Sequence, residues 1–184
     1  MLWPSVSRYA FYGNAQFSAS LILESPYPFS IKIDDLNPSV DSANDMRYDF
    51  FIEGINNGHF LQLVFLGDAL LYIDGLVIQK KCVSITNAPY TDVGTELTKA
   101  PFFFLQPLAK GNYPKFSNLT ITQSANFLIN VYSDAVVFSF EEFHIAGWIR
   151  IAEGLDAGLT TSGCLAALIF RANLAEDIAR IISE

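Results

Sequence analysis

The stretch EFHIAGWIRIAEG, residues 142–154, constrains the chain more than any other, because its side chains sort by twos. Phe143, Ile145, Ile149 and Ile151 fall on one side of an extended backbone with Gly147 among them, while His144, Trp148 and Arg150 fall on the other. That is the period of a β-strand with one face in a core and the other partly polar. The same beat runs through residues 126–132, where Phe127, Ile129 and Val131 alternate with Leu128, Asn130 and Tyr132. Ser133-Asp134 then turns the chain into AVVFSF, and so short a link makes the two strands antiparallel neighbours.

Strand-like segments of this kind follow one another near 8–12, 15–24, 29–33, 47–53, 59–66, 69–73, 76–86, 102–105, 119–123, 126–132, 135–140 and 143–152, punctuated by Gly, Asn, Asp and Pro. In LLYIDGLVIQKKC, residues 70–82, an Asp74-Gly75 turn between apolar runs reads as a tight hairpin, since the favoured two-residue turn needs positive φ at both positions. Helical periodicity is nearly absent before residue 155. Many short strands without helical crossovers predict an antiparallel β-sandwich of jelly-roll type rather than a parallel sheet. Two polar loops, 34–46 and 87–101, interrupt the rhythm and stand out as surface candidates.

The end of the chain changes character. GLDAGLTTSG reads as a loop in which Thr160, Thr161 or Ser162 caps a helix, and CLAALIFRANLAEDIARIISE reads as that helix, with Glu176 and Arg180 as a favourable i,i+4 pair. Its apolar residues form two stripes, and a surface helix needs only one. Leu165, Leu168, Ile169 and Ala172 make the first; Phe170, Leu174, Ile178, Ile181 and Ile182 make the second, which is the candidate subunit interface. The expected organisation is a single domain over residues 1–184, with the sandwich in 1–153 and the loop and helix in 154–184. A chain of 184 residues is long enough for a full core.

Charge and composition narrow the function. Apolar residues make up 51% of the chain and charged residues only 16%, against the roughly 25% charged that is usual for soluble domains. Part of that apolar surface is expected to meet other subunits. The longest apolar run, 61–73, is broken by Gln62, Gly67 and Asp68 and falls short of the ~20 residues of a spanning helix, so no membrane span is expected. The net charge of −8 is carried by residues 1–75 and 151–184. With Lys80-Lys81 as the nearest thing to a basic patch, nucleic acid is not an expected partner. MLWPSVSRYAFYG lacks the basic and apolar regions of a signal peptide. Cys82 and Cys164 are too few for a disulfide framework and are expected to be reduced.

No reaction chemistry is spelled out. His59, His144, Cys82 and Cys164 lack zinc-ligand spacing, and Ser162-Gly163-Cys164 lacks the flanks of a nucleophile elbow. Asp34, Asp35, Asp41, Asp45 and Asp49 do not follow a calcium-loop pattern, with Val40 and Met46 at the wrong places. Glu141 and Glu142 would point to opposite faces of a strand. GLDAGLTTSG has no P-loop lysine. The expectation is therefore a non-catalytic structural or assembly protein without cofactor or metal. It would form homo-oligomers and meet other structural proteins, as a virion or phage head or tail component, in the virion or the cytoplasm. The alternative is a carbohydrate- or receptor-binding sandwich module with a glycan receptor as partner, using aromatics among Trp3, Tyr9, Tyr12, Tyr27, Tyr90, Tyr113 and Trp148 as a stacking platform.

Overall fold

The computed structural model describes residues 3–6, 17–22, 24–35, 47–66, 69–92, 94–96, 105–106, 119–140 and 143–183. Along the chain they form β1 (Ser5–Val6), β2 (Phe17–Leu21), β3 (Phe29–Asp35), β4 (Arg47–Gly54), β5 (Phe60–Leu66), β6 (Ala69–Val77), β7 (Val83–Ile85), β8 (Thr95–Glu96) and β9 (Leu105–Gln106). There follow β10 (Leu119–Ala125), β11 (Phe127–Val131), β12 (Ala135–Phe140), β13 (Gly147–Ala152), β14 (Leu155–Leu159), β15 (Leu165–Arg171) and the helix α1 (Ala172–Ser183). The protein is mainly β, with one C-terminal α-helix among the described residues.

Two open sheets share one core. The first runs β10-β4-β5-β6-β3-β2 and the second β7-β11-β12-β15-β14-β13-β8, while β1 and β9 pair separately. Both are mixed where purely antiparallel sheets were expected: β10 joins β4, β7 joins β11 and β8 joins β13 in parallel, each as the outermost strand of its sheet. A parallel neighbour cannot be reached by a tight turn, and each of these three pairs joins strands far apart in sequence.

Period-two patterning decides which side faces in. From the first sheet Phe29, Ile31, Phe50, Ile52, Leu61, Leu63 and Ile73 enter the common core; from the second come Phe127, Ile129, Phe138, Phe140, Leu168 and Phe170. Rings meet across the gap, Phe29 against Phe138 at 5.6 Å between centroids. Trp3 lies edge-on to both Phe50 and Phe140 and donates its indole N–H to the Leu165 carbonyl at 2.7 Å. It is a core residue, which removes it from the stacking-platform candidates.

Two expectations fail for related reasons. The Asp74-Gly75 hairpin does not exist: β6 runs unbroken from Ala69 to Val77, with Asp74 opposite Gln62 and Ser30, and Gly75 opposite Leu61 and Phe29. The glycine serves close approach, since a Cβ there would stand 2.2 Å from Phe29 Cε1. The C-terminal helix also begins later than expected. Leu165–Arg171 is strand β15, buried on both faces and paired with β12 and β14. Such a strand carries no alternation and reads as a plain apolar run. GLDAGLTTSG is accordingly strand β14 and a turn, in which Thr160 Oγ1 accepts from Cys164 N at 3.1 Å rather than capping a helix. Ala172, at φ 51, turns β15 directly into α1. The expected strand at 8–12 and most of that at 102–105 lie outside the described residues.

The helix packs against β12, β15 and β2. Leu174, Ala175, Ile178 and Ile182 lie in the common core, with Ile181 partly buried beside them. Phe170, the remaining member of the candidate interface stripe, sits on β15 and is fully buried. The stripe is thus occupied by the chain's own sandwich.

Candidate functional site

Alternation places Ser30, Phe51, Phe60, Gln62 and Asp74 on the outer side of the first sheet, opposite the core. Phe51 and Phe60, diagonal neighbours on β4 and β5, stack there with ring centroids 5.6 Å apart. Val77, the register partner of Phe60, is 40% exposed, and Ile55 in the adjoining turn is 58% exposed. Phe51 and Phe60 are half-buried, and Val64 on the same side is buried, so the apolar surface open to a covering partner is that of Val77 and Ile55 with the edges of the two rings. Beside it runs a polar row: Ser30 Oγ donates to Asp74 Oδ1 at 2.5 Å, Gln62 Nε2 donates to Asp49 Oδ1 at 3.1 Å, and Arg47 donates to the same Asp49 oxygen. Burial pushes the Asp74 carboxyl above its ordinary value, with the Ser30 bond and the Arg47 charge opposing.

The outer side of the second sheet is crossed by the chain itself. Residues 86–92 leave β7 at one edge of the sheet, whose other edge is β8, and Tyr90 packs with Tyr132 and Ile145 on Ala135, Val137, Ala167 and Ile169. Tyr90 N donates to Asp134 Oδ1 at 2.7 Å. Farther along, Arg171 donates to Asp92 and, at 2.6 Å, to the buried Asp156, while Arg150 reaches the other Asp156 oxygen at 3.3 Å. The Arg171 guanidinium also lies within 6 Å of the ring centroids of both Tyr90 and Trp148. Burial alone would depress the Arg171 pKa, but its two carboxylate partners more than offset this and hold it above its ordinary value. With its donors taken by carboxylates, this cluster fastens a strap. Tyr90 and Trp148 therefore pack within it.

A third gathering lies where the sheets join. One residue, Asn126, separates β10 of the first sheet from β11 of the second. The turn between β4 and β5 closes over this corner: Ile55 N donates to the Ala125 carbonyl and Asn57 Nδ2 to that of Phe127. His59, whose place after Asn56-Asn57-Gly58 has the look of an ordinary turn position, is fully buried here with its ring 5.2 Å from that of Phe127. Its Nδ1 accepts from Gln79 N at 3.0 Å, and Gln79 belongs to the other passage between sheets, from β6 to β7.

The remaining candidates are dispersed. His144 is exposed on the segment before β13, beside a pocket of ≈ 250 Å³ walled by Phe143, Ile145, Ala146, Thr160 and Thr161. Cys82 and Cys164 are free thiols. Asp34 pairs with Lys32. Asp41 and Asp45, Glu141 and Glu142, and Tyr9, Tyr12 and Tyr113 lie outside the described residues. Among the described residues no three His, Cys, Asp or Glu side chains gather where they could hold a metal ion, and no helix is long and apolar enough to cross a membrane. Tyr27, 40% exposed, borders a pocket of ≈ 410 Å³ with Leu21, Ser25, Phe29, Arg180 and Ile181. No protein-family model matches the chain, and no curated protein matches it in sequence.

Proposed function

We propose that the protein is a non-catalytic assembly protein whose sandwich packs through the outer side of its first sheet against a second copy of itself. The observation that carries this reading is the Phe51–Phe60 stack with Val77 and Ile55 exposed beside it. Closing such a patch against a like surface removes apolar area from water at about 25 cal/mol per Å², and a self-complementary patch gives a two-fold contact. A jelly-roll arrangement and a place in a virion, as a phage head or tail component, belong to the same proposal and rest on the low charge and abundant aromatic content of the chain.

The test is the native mass by sedimentation velocity, with Phe60→Asp as the variant. The wild type should sediment as a dimer or larger, and the variant as a smaller species that keeps its β-type circular dichroism. A wild type that stays monomeric at high concentration would refute the reading. The second reading, a carbohydrate-binding module, is favoured by Tyr27 and the ≈ 410 Å³ pocket beside Ser25 and Arg180, since an aromatic face with adjacent polar groups suits a sugar ring. A glycan array giving binding that Tyr27→Ala abolishes would select it.

A further inference from the structure

We propose that His59 is an acid-sensitive latch that holds the passage from β6 to β7 against the corner where the two sheets join. The proposal stands on how the imidazole is placed. Its Nδ1 is committed as an acceptor to Gln79 N, so the neutral ring carries its proton on Nε2. Nε2 is buried and has no hydrogen-bond partner among the described residues. Phe127 lies against the ring, and the His59 backbone is held by Asn57 Oδ1, which accepts from His59 N at 3.2 Å. A second proton can only go to Nδ1. There it would confront the Gln79 N–H, donor against donor, and it would leave a charged ring in an apolar corner.

No counter-charge is at hand. β4 carries Arg47, Tyr48, Asp49 and Glu53, of which Arg47 and Asp49 pair with each other and Glu53 is exposed; Lys80 and Lys81 on the turn after Gln79 are exposed, Cys82 brings a thiol, and β5, β10 and β11 carry no titratable side chain. None of them pairs with the ring among the described residues. Burial lowers the His59 pKa below 6.5, and the main chain of Cys82 opposes this only in part. The sign follows. The open chain binds a proton that the latched one refuses, so the latch is fully closed above the ordinary histidine value and loosens as the pH falls below it.

The part released is a short link between the sheets. Residues 78–82 carry the chain across, and β7, three residues long, is joined only to β11 along the edge of its sheet. Loss of the Gln79 N–H bond to His59 Nδ1 frees that segment and uncovers the edge of β11, a row of unpaired backbone groups open to strand addition. Acid would thereby expose a new pairing edge without unfolding the core.

Amide hydrogen exchange read by mass spectrometry, corrected for intrinsic rates, tests this on the whole chain. Between about pH 7.5 and about pH 5, residues 78–85 should lose roughly tenfold or more in protection, the change expected for each unit by which the ring titrates below its ordinary value, while β12 and β15 keep theirs. His59→Asn puts an amide oxygen near the Nδ1 position and cannot be protonated, so its 78–85 protection should stay constant across that range. Wild-type protection that does not change, or an Asn variant that loses it equally, overturns the latch. Should the variant fail to fold, proton NMR of the wild type decides: a His59 ring titrating at 6.5 or above overturns the proposal.

Discussion

At the scale of single residues, Asp74 and Gly75 show how one dipeptide can carry two meanings. Between apolar runs the pair has the composition of a tight turn, and nothing local distinguishes that from a strand interior. What decides is long-range: Ser30 on β3 supplies a hydroxyl for the buried carboxylate, and the Phe29 ring fills the space where a Cβ would be. Gly75→Ala should therefore act through Phe29. Overpacking of this kind costs about 1–3 kcal/mol, and urea unfolding should show a loss in that range. Phe29→Leu makes a cavity of its own, but in the double variant the smaller side chain relieves the clash, so the two losses should sum to more than the double variant shows. Strict additivity would mean that the ring and the glycine do not meet. His59 was hidden for the same reason. A histidine after Asn-Asn-Gly looks like turn punctuation, and only the two passages between sheets, converging from residues far along the chain, bury it.

At the scale of elements, the alternating strands were legible and the non-alternating one was not. β4, β5, β11 and the second half of the expected 143–152 strand, β13, stand where the period of two puts them, because each has one face in the core and another that is at least partly polar, while β12, apolar on both faces, was legible through the short Ser133-Asp134 link to β11. β15 has core on one side and the Tyr90 strap on the other, so LAALIF shows no period and merges with the helical pattern that follows. The merger also lent the helix a second apolar stripe. Once β15 is removed, the helix is left with Leu174, Ala175, Ile178 and Ile182 on the face that enters the core. Replacing both Ile178 and Ile182 by Asp should consequently unfold the chain instead of merely separating subunits, since each buried unpaired charge costs several kcal/mol. Circular dichroism that loses its β signal along with the helix is the expected result. A smaller, fully folded species would return the stripe to an interface.

At the scale of the whole molecule, the question is what keeps the 86–92 strap on the second sheet, for the sequence marked 87–101 only as a polar loop. Tyr90 supplies apolar contact, but the ionic cluster ties four pieces of chain together: the strap through Asp92, β13 through Arg150, β14 through Asp156 and β15 through Arg171. Asp156 is 1% exposed, which sets the energetics. Removing a partner from a buried pair typically costs about 3–5 kcal/mol, most of it the penalty of the charge left behind, whereas replacing the whole pair by apolar groups is often neutral. Arg171→Leu should fall toward the lower end of that range, because the half-exposed Arg150 still reaches one Asp156 oxygen. Arg171→Leu combined with Asp156→Leu should recover much of the loss, although the strap then keeps only Tyr90 and its backbone bonds. Urea midpoints for the two variants give the comparison, and the difference should persist in high salt, which screens buried charges little. A single variant within about 0.5 kcal/mol of wild type, as an exposed substitution would be, would show that Asp156 reaches water and that the strap is held by Tyr90 and its backbone bonds.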